Sequence, residues 1–119
     1  MKKTLIIGAT TNPGRYAYLA AHRLKQYGHP IVQVGLRDGE VAGEPIETQK
    51  LPFPDVDTVT LYVGPRNQPE YYDFVISLSP KRVIFNPGTE NPDFEELLKQ
   101  HEIEPLEACT LVMLATGHY

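Results

Sequence analysis

The sequence predicts a doubly wound parallel α/β domain: about five strands in one sheet, helices on both faces, three layers in all. Three observations carry this. Short β-branched apolar runs alternate with segments of helical spacing. A small-residue turn, Gly8-Ala9-Thr10-Thr11-Asn12-Pro13-Gly14-Arg15-Tyr16, joins the first run to the first helical segment. The chain has 119 residues, enough for one core and hence a single domain over 1–119. Strands alternating with helices give right-handed βαβ units and a parallel sheet.

Thr4–Ile7 reads as a buried strand bounded by Gly8. Residues 14–27 read as a helix, with Tyr16, Leu19, Ala20, Leu24 and Tyr27 recurring every three or four positions and Gly28 as its stop. Ile31–Val34 is the second strand. Arg37–Pro54 is rich in Gly and Pro and reads as irregular, with room for a short edge strand near Glu44–Ile46. Thr58–Val63 is the third main strand, Gln68–Leu78 a second helix, and Arg82–Phe85 the fourth strand. Pro92–His101 makes a third helix with Phe94, Leu97 and Leu98 as its apolar face, and Ile103–Leu106 a short fifth strand. The apolar tail Leu111–Leu114 is expected to pack, without a defined conformation.

The formal net charge is −4, from 11 basic and 15 acidic residues, and no basic run or stripe offers a nucleic-acid surface. The single cysteine, Cys109, excludes an internal disulfide and fits a reducing compartment. Met1-Lys2-Lys3 imitates the start of a secretory leader, but the apolar run behind it is short and Asn12-Pro13-Gly14 interrupts it. No stretch approaches the length of a membrane span. The expectation is a cytoplasmic protein without a membrane partner.

Ligands of doubly wound domains bind beyond the carboxyl ends of the strands, where strand order reverses. The loops of interest are therefore Gly8–Arg15, Gly35–Asp38, Gly64–Asn67 and Asn86–Asn91. At the first, free helix N–H groups and the macrodipole favour an anion such as a phosphate. Asn12 is expected as N-cap and Pro13 as the first helical residue. A side chain at Gly8 would keep the backbone from a diphosphate. Arg15, in the first helical turn, opposes the macrodipole unless an anion sits there. Arg37 lies where Rossmann domains read the adenosine ribose; a cation there suits a ribose phosphate, whereas NAD calls for an acid, and Asp38 comes late. Tyr62 and Val63 end the third strand as core or as an apolar cleft wall. His22, His29, His101 and His118 lack metal-ligand spacing. There is no Gly-x-Ser-x-Gly elbow, no Walker Lys-Ser/Thr and no aspartate ending strand one, which disfavours hydrolase, nucleotide-triphosphatase and phospho-receiver chemistry.

The chain resembles the small stand-alone CoA-binding proteins, whose domain is similar to the N-terminal CoA-binding domain of the succinyl-CoA synthetase α subunit. Gly8-Ala9-Thr10-Thr11-Asn12-Pro13 with Arg15 looks like the family's phosphate turn, Lys25-Gln26-Tyr27-Gly28 like its helix end, and Asn86-Pro87-Gly88-Thr89-Glu90-Asn91 like its Gln-Pro-Gly loop. Cys109 falls where the family tends to have a late cysteine. Two loops depart: Gly35-Leu36 stands where Asn-Pro is common, and Val63-Gly64-Pro65-Arg66 replaces a more basic or Pro-led loop. The resemblance implies a Rossmann-like, non-catalytic binder of coenzyme A or an acyl-CoA. Its diphosphate would lie over Gly8–Arg15 and its adenosine near Val34, Gly35, Leu36 and Arg37. Pro65, Asn86, Pro87 and Gly88 would close the cleft. The domain that carries the synthetase's phosphorylated histidine has no counterpart here, so ligase activity is not implied. Two other readings stay open: a small NAD(P)-binding oxidoreductase-like protein, and a regulatory module that has lost its ligand. A protein partner or a homo-oligomer fits any of them, and Cys109 leaves room for thiol exchange with CoA.

Overall fold

A computed structural model describes residues 1–119. Its strands are β1 (Thr4–Ala9), β2 (Ile31–Gly35), β3 (Gly39–Val41), β4 (Glu44–Glu47), β5 (Thr58–Leu61), β6 (Arg82–Phe85) and β7 (Glu104–Glu107). They form one sheet in the order β3-β4-β2-β1-β5-β6-β7. Every pair is parallel except β3 with β4. The helices are α1 (Tyr16–Gln26), α2 (Tyr72–Leu78), α3 (Pro92–Gln100) and α4 (Thr110–Ala115), with one-turn 3-10 helices at Pro65–Asn67 and Pro69–Tyr71. Strand order reverses at β1, which pairs with β2 on one side and β5 on the other.

The sheet thus has seven strands, not about five. The short edge strand expected near Glu44–Ile46 is β4, and the unforeseen strand is β3, which pairs with it as a hairpin within the stretch that reads as irregular. Its turn residues, Ala42 and Gly43, both have positive φ (56° and 80°), the conformation of a tight two-residue hairpin turn. A three-residue strand beginning in glycine carries too little alternation to be legible. The β3–β4 edge is held from inside by Gln33, whose buried Nε2 donates to the carbonyls of Val41 (3.2 Å) and Glu44 (3.1 Å).

Side chains alternate across the sheet. Leu5 and Ile7 of β1 join Val59, Val83 and Phe85 in a core covered by Phe74 and Val75 of α2 and Phe94 and Leu98 of α3. Ile6, Ala9 and Ile84 face the other way, against Ala17, Ala21 and Leu24 of α1 and Leu114 of α4. The inward stripe of α1 is therefore rotated from the expected one: Tyr16, Leu19 and Tyr27 are exposed, and alanines take the sheet side. Small residues let the helix sit close to the sheet, and their weak apolar signal is outweighed in the sequence by the large side chains. The segment from Gln68 is also not one helix. Pro65 and Pro69 each open a 3-10 turn before α2 begins at Tyr72. The apolar tail is α4, packed on α1. No helix is long and apolar enough to cross a membrane.

Candidate functional site

A cleft of about 890 Å³ opens beyond the carboxyl ends of the strands at the switch point, within the size range of small-molecule sites. The loop after β1 contributes Gly8, Ala9, Thr10, Thr11, Asn12 and Arg15, and the exit of β2 contributes Leu36 and Arg37. The exit of β5 contributes Tyr62 and Val63, and the exit of β6 Pro87 and Gly88. Four loops far apart in sequence thus meet around one space.

Five of the residues singled out from the sequence stand off this cleft. Pro13 is exposed on the outside of the turn, and Pro65 is exposed at the start of its 3-10 turn. Val34 is 2% exposed in the core. Gly35 is buried, and a Cβ there would collide with the Ala9 carbonyl oxygen. Asn86 is buried as a structural brace: its Nδ2 donates to Thr60 Oγ1 and the Leu61 carbonyl, and its Oδ1 accepts from the Thr110 N–H at the start of α4. The cleft also takes in Asp38, Gly64, Asn67 and Thr89, which lie in the loops of interest but were not named as site residues, and Tyr16, Ala17, Glu70 and Tyr71, which lie outside those loops. Asn67, Glu70 and Tyr71 arrive there because the segment after β5 is broken into 3-10 turns instead of running as a straight helix.

The turn after β1 is built differently from the expectation. Asn12 does not cap the helix. Its Oδ1 accepts from the Gly14 N–H at 2.9 Å and its carbonyl from the Arg15 N–H at 3.1 Å, while its own N–H donates to Thr10 Oγ1. The extra turn delays α1 to Tyr16, with extended Arg15 as N-cap and no side-chain cap. The N–H groups of Tyr16, Ala17 and Tyr18 are therefore left without protein partners beside the cleft. An uncapped helix start with no acid in its first turn presents unopposed positive potential.

Gly8 has φ +97°, and a Cβ there would meet the Tyr62 carbonyl oxygen at 2.8 Å. Its glycine is thus required by the approach of the β5 exit. Gly39 serves the same turn from another side, since a Cβ on it would strike the Thr11 methyl.

Arg15 and Arg37 are exposed cations on the cleft without carboxylate partners. Of the acids there, Glu70 is engaged by Lys50 at 3.6 Å, and Asp38 is free of ion pairs. Burial raises the Tyr71 hydroxyl's pKa above its ordinary value, with Glu70 adding to the shift. Burial raises that of Tyr62 further; its hydroxyl has no hydrogen-bond partner and lies near Thr60, Thr110 and Cys109. Cys109, the N-cap of α4, is a half-buried free thiol outside the cleft lining.

Fold and cleft together define a Rossmann-like α/β domain with its opening at the switch point. The sequence model of the CoA binding domain family matches residues 2–115, and the chain belongs to that family. Solved structures share the architecture, three of them as follows. A crystal structure of an uncharacterized protein is 55% identical, with 100% of this chain and 98% of that one covered and a TM-score of 0.98. A hypothetical protein from Pyrococcus horikoshii OT3 is 25% identical over 97% of this chain and 82% of its own, with a TM-score of 0.88. A Thermus thermophilus protein, cell-free ID.343, is 23% identical over 99% and 90%, with a TM-score of 0.83. No curated protein matches the chain.

Proposed function

We propose that the protein binds coenzyme A or an acyl-CoA in this cleft without transforming it. The uncapped N-terminus of α1, opening on the cleft beside two unpaired arginines, carries the reading. The diphosphate lies against the loop Gly8–Arg15 and the N–H groups of Tyr16 and Ala17. Arg37, beyond β2, meets the 3′-phosphate of the ribose. The pantetheine arm runs between Val63–Gly64 and Pro87–Thr89. No nucleophile with an adjacent base lines the cleft, so binding is the proposed activity. Family membership supports the ligand class.

Asp38, which lines the cleft between the end of β2 and the start of β3, favours a second reading: an acid beyond β2 can accept from the hydroxyls of an NAD ribose. Calorimetric titration separates the two. CoA is expected to bind at micromolar concentration, more weakly when the 3′-phosphate is removed as in dephospho-CoA. Replacing Arg37 with Ala should remove that difference, and Arg15→Ala should weaken both ligands. Tight NAD binding without CoA binding, abolished by Asp38→Asn, would establish the second reading instead.

A further inference from the structure

Gln68 has no accessible surface, yet it lies between the 3-10 turns of a connecting segment. Its Nε2 donates to the Val63 carbonyl at 3.0 Å and to the Thr89 carbonyl at 2.7 Å. Its Oε1 accepts from Asn91 Nδ2 at 2.9 Å. Both amide hydrogens and the carbonyl oxygen of the side chain are thus engaged. Val63 and Thr89 belong to different loops, one leaving β5 and one leaving β6, and both line the cleft.

The Thr89 loop is already fixed to itself. Thr89 N–H and Oγ1 both donate to the Asn86 carbonyl, and Glu90 Oε1 accepts from the Gly88 N–H. The Asn86 side chain also ties the base of this loop to the Leu61 carbonyl at the end of β5, but none of these bonds sets the distance of Thr89 from the Val63 loop. Gln68 is the side chain that bonds to both. Asn91 anchors the amide in turn: its Nδ2 also donates to Tyr72 Oη at 2.9 Å, and its Oδ1 caps α3 by accepting from the Phe94 N–H. A buried, fully satisfied network of this kind holds one geometry, because breaking any member strands a polar group.

We infer that Gln68 is a positioning residue that fixes the width between the two walls of the cleft and so determines the fit of the pantetheine arm. The inference rests on the CoA reading and adds the residue that gauges one part of that ligand. Gln68 does not touch the ligand; it acts through the backbone of Val63 and Thr89. Its loss should therefore leave the nucleotide end unaffected, since the β1 and β2 loops that hold it contain none of these bonds.

The test compares CoA with adenosine 3′,5′-bisphosphate, which lacks the pantetheine arm and the phosphate that carries it, by calorimetry. Gln68→Met, close in volume but without donors, should weaken CoA at least tenfold and change the bisphosphate less than twofold. A general structural role would weaken both alike, and that result would overturn the inference. Gln68→Glu, which keeps an acceptor for Asn91 but sets oxygens against two carbonyls, should show the same split. Independently of any variant, CoA should slow exchange of the Gln68 side-chain amide protons in wild-type protein and the bisphosphate should not; equal effects would also overturn it. Wild-type protein that binds neither ligand would defeat the CoA reading itself. CoA binding intact in a folded Gln68→Met would defeat this inference alone.

Discussion

At Gly8 the reason for the residue differs from the one its motif suggests. The motif reads as a backbone cleared for a ligand, but the structure puts the Tyr62 carbonyl where a Cβ would go and gives the residue φ +97°. Gly8→Ala is therefore expected to destabilise the ligand-free protein by on the order of 1–3 kcal/mol, as measured by urea denaturation. His29 gives a pH prediction. Its Nδ1 accepts from the Lys2 N–H at 3.0 Å, and burial, then the neighbouring cations, lowers its pKa below 6.5. A lowered folded value means that the native state binds fewer protons than the unfolded chain, so this contribution is present above pH 6.5 and is lost as pH falls through the folded value. Wild-type stability should fall between pH 7.5 and 5.5 by more than that of His29→Asn, which keeps an acceptor but does not titrate. Neither role was readable from the sequence: one needs the position of a neighbouring strand and the other a contact between residues 27 apart.

Among the elements, those with a pronounced pattern were legible. Arg82–Phe85 is found with the boundaries read from the sequence, and the helix at Pro92 begins where its Asn91-Pro92 start places it. The cap there is made by the Asn91 side chain, which also reaches Gln68 and Tyr72. Asn91→Ala should accordingly cost about 2 kcal/mol in denaturant unfolding, more than a cap alone, because buried partners lose their bonds. What stayed illegible depended on distance between layers. The alanine face of α1 is set by how closely the helix approaches the sheet, and no periodicity encodes that. Ala21 has no accessible surface, so Ala21→Leu should overpack the α1 layer at about 1–3 kcal/mol, whereas Leu19→Ala on the exposed side should change stability little. Of the β3–β4 hairpin, β4 was legible as an edge strand, while β3 was hidden for the opposite reason, being too short for a pattern and encoded mainly in the turn.

For the whole molecule, the sequence disclosed the alternation of elements, the four loops at one end of the sheet and the family resemblance, but not how those loops share space. Twelve of the residues singled out meet in one cleft. Those that stand outside it were placed by their neighbours in sequence, while position in the cleft depends on sheet twist and on the 3-10 breaks after β5. A ligand that binds only the folded state must also stabilise it: CoA at a hundred times its dissociation constant should add about 2.7 kcal/mol to unfolding, seen as a concentration-dependent rise in Tm. The central claim is that a diphosphate sits on the open start of α1. Amide chemical-shift mapping of the 15N-labelled protein during CoA titration tests it most directly. The account predicts the largest shifts at Thr10–Asn12 and at Tyr16–Tyr18, with smaller ones at Leu36–Arg37 and Gly88–Thr89. Shifts confined to the outer faces of α1 and α4, with the Tyr16–Tyr18 amides unmoved, would contradict it.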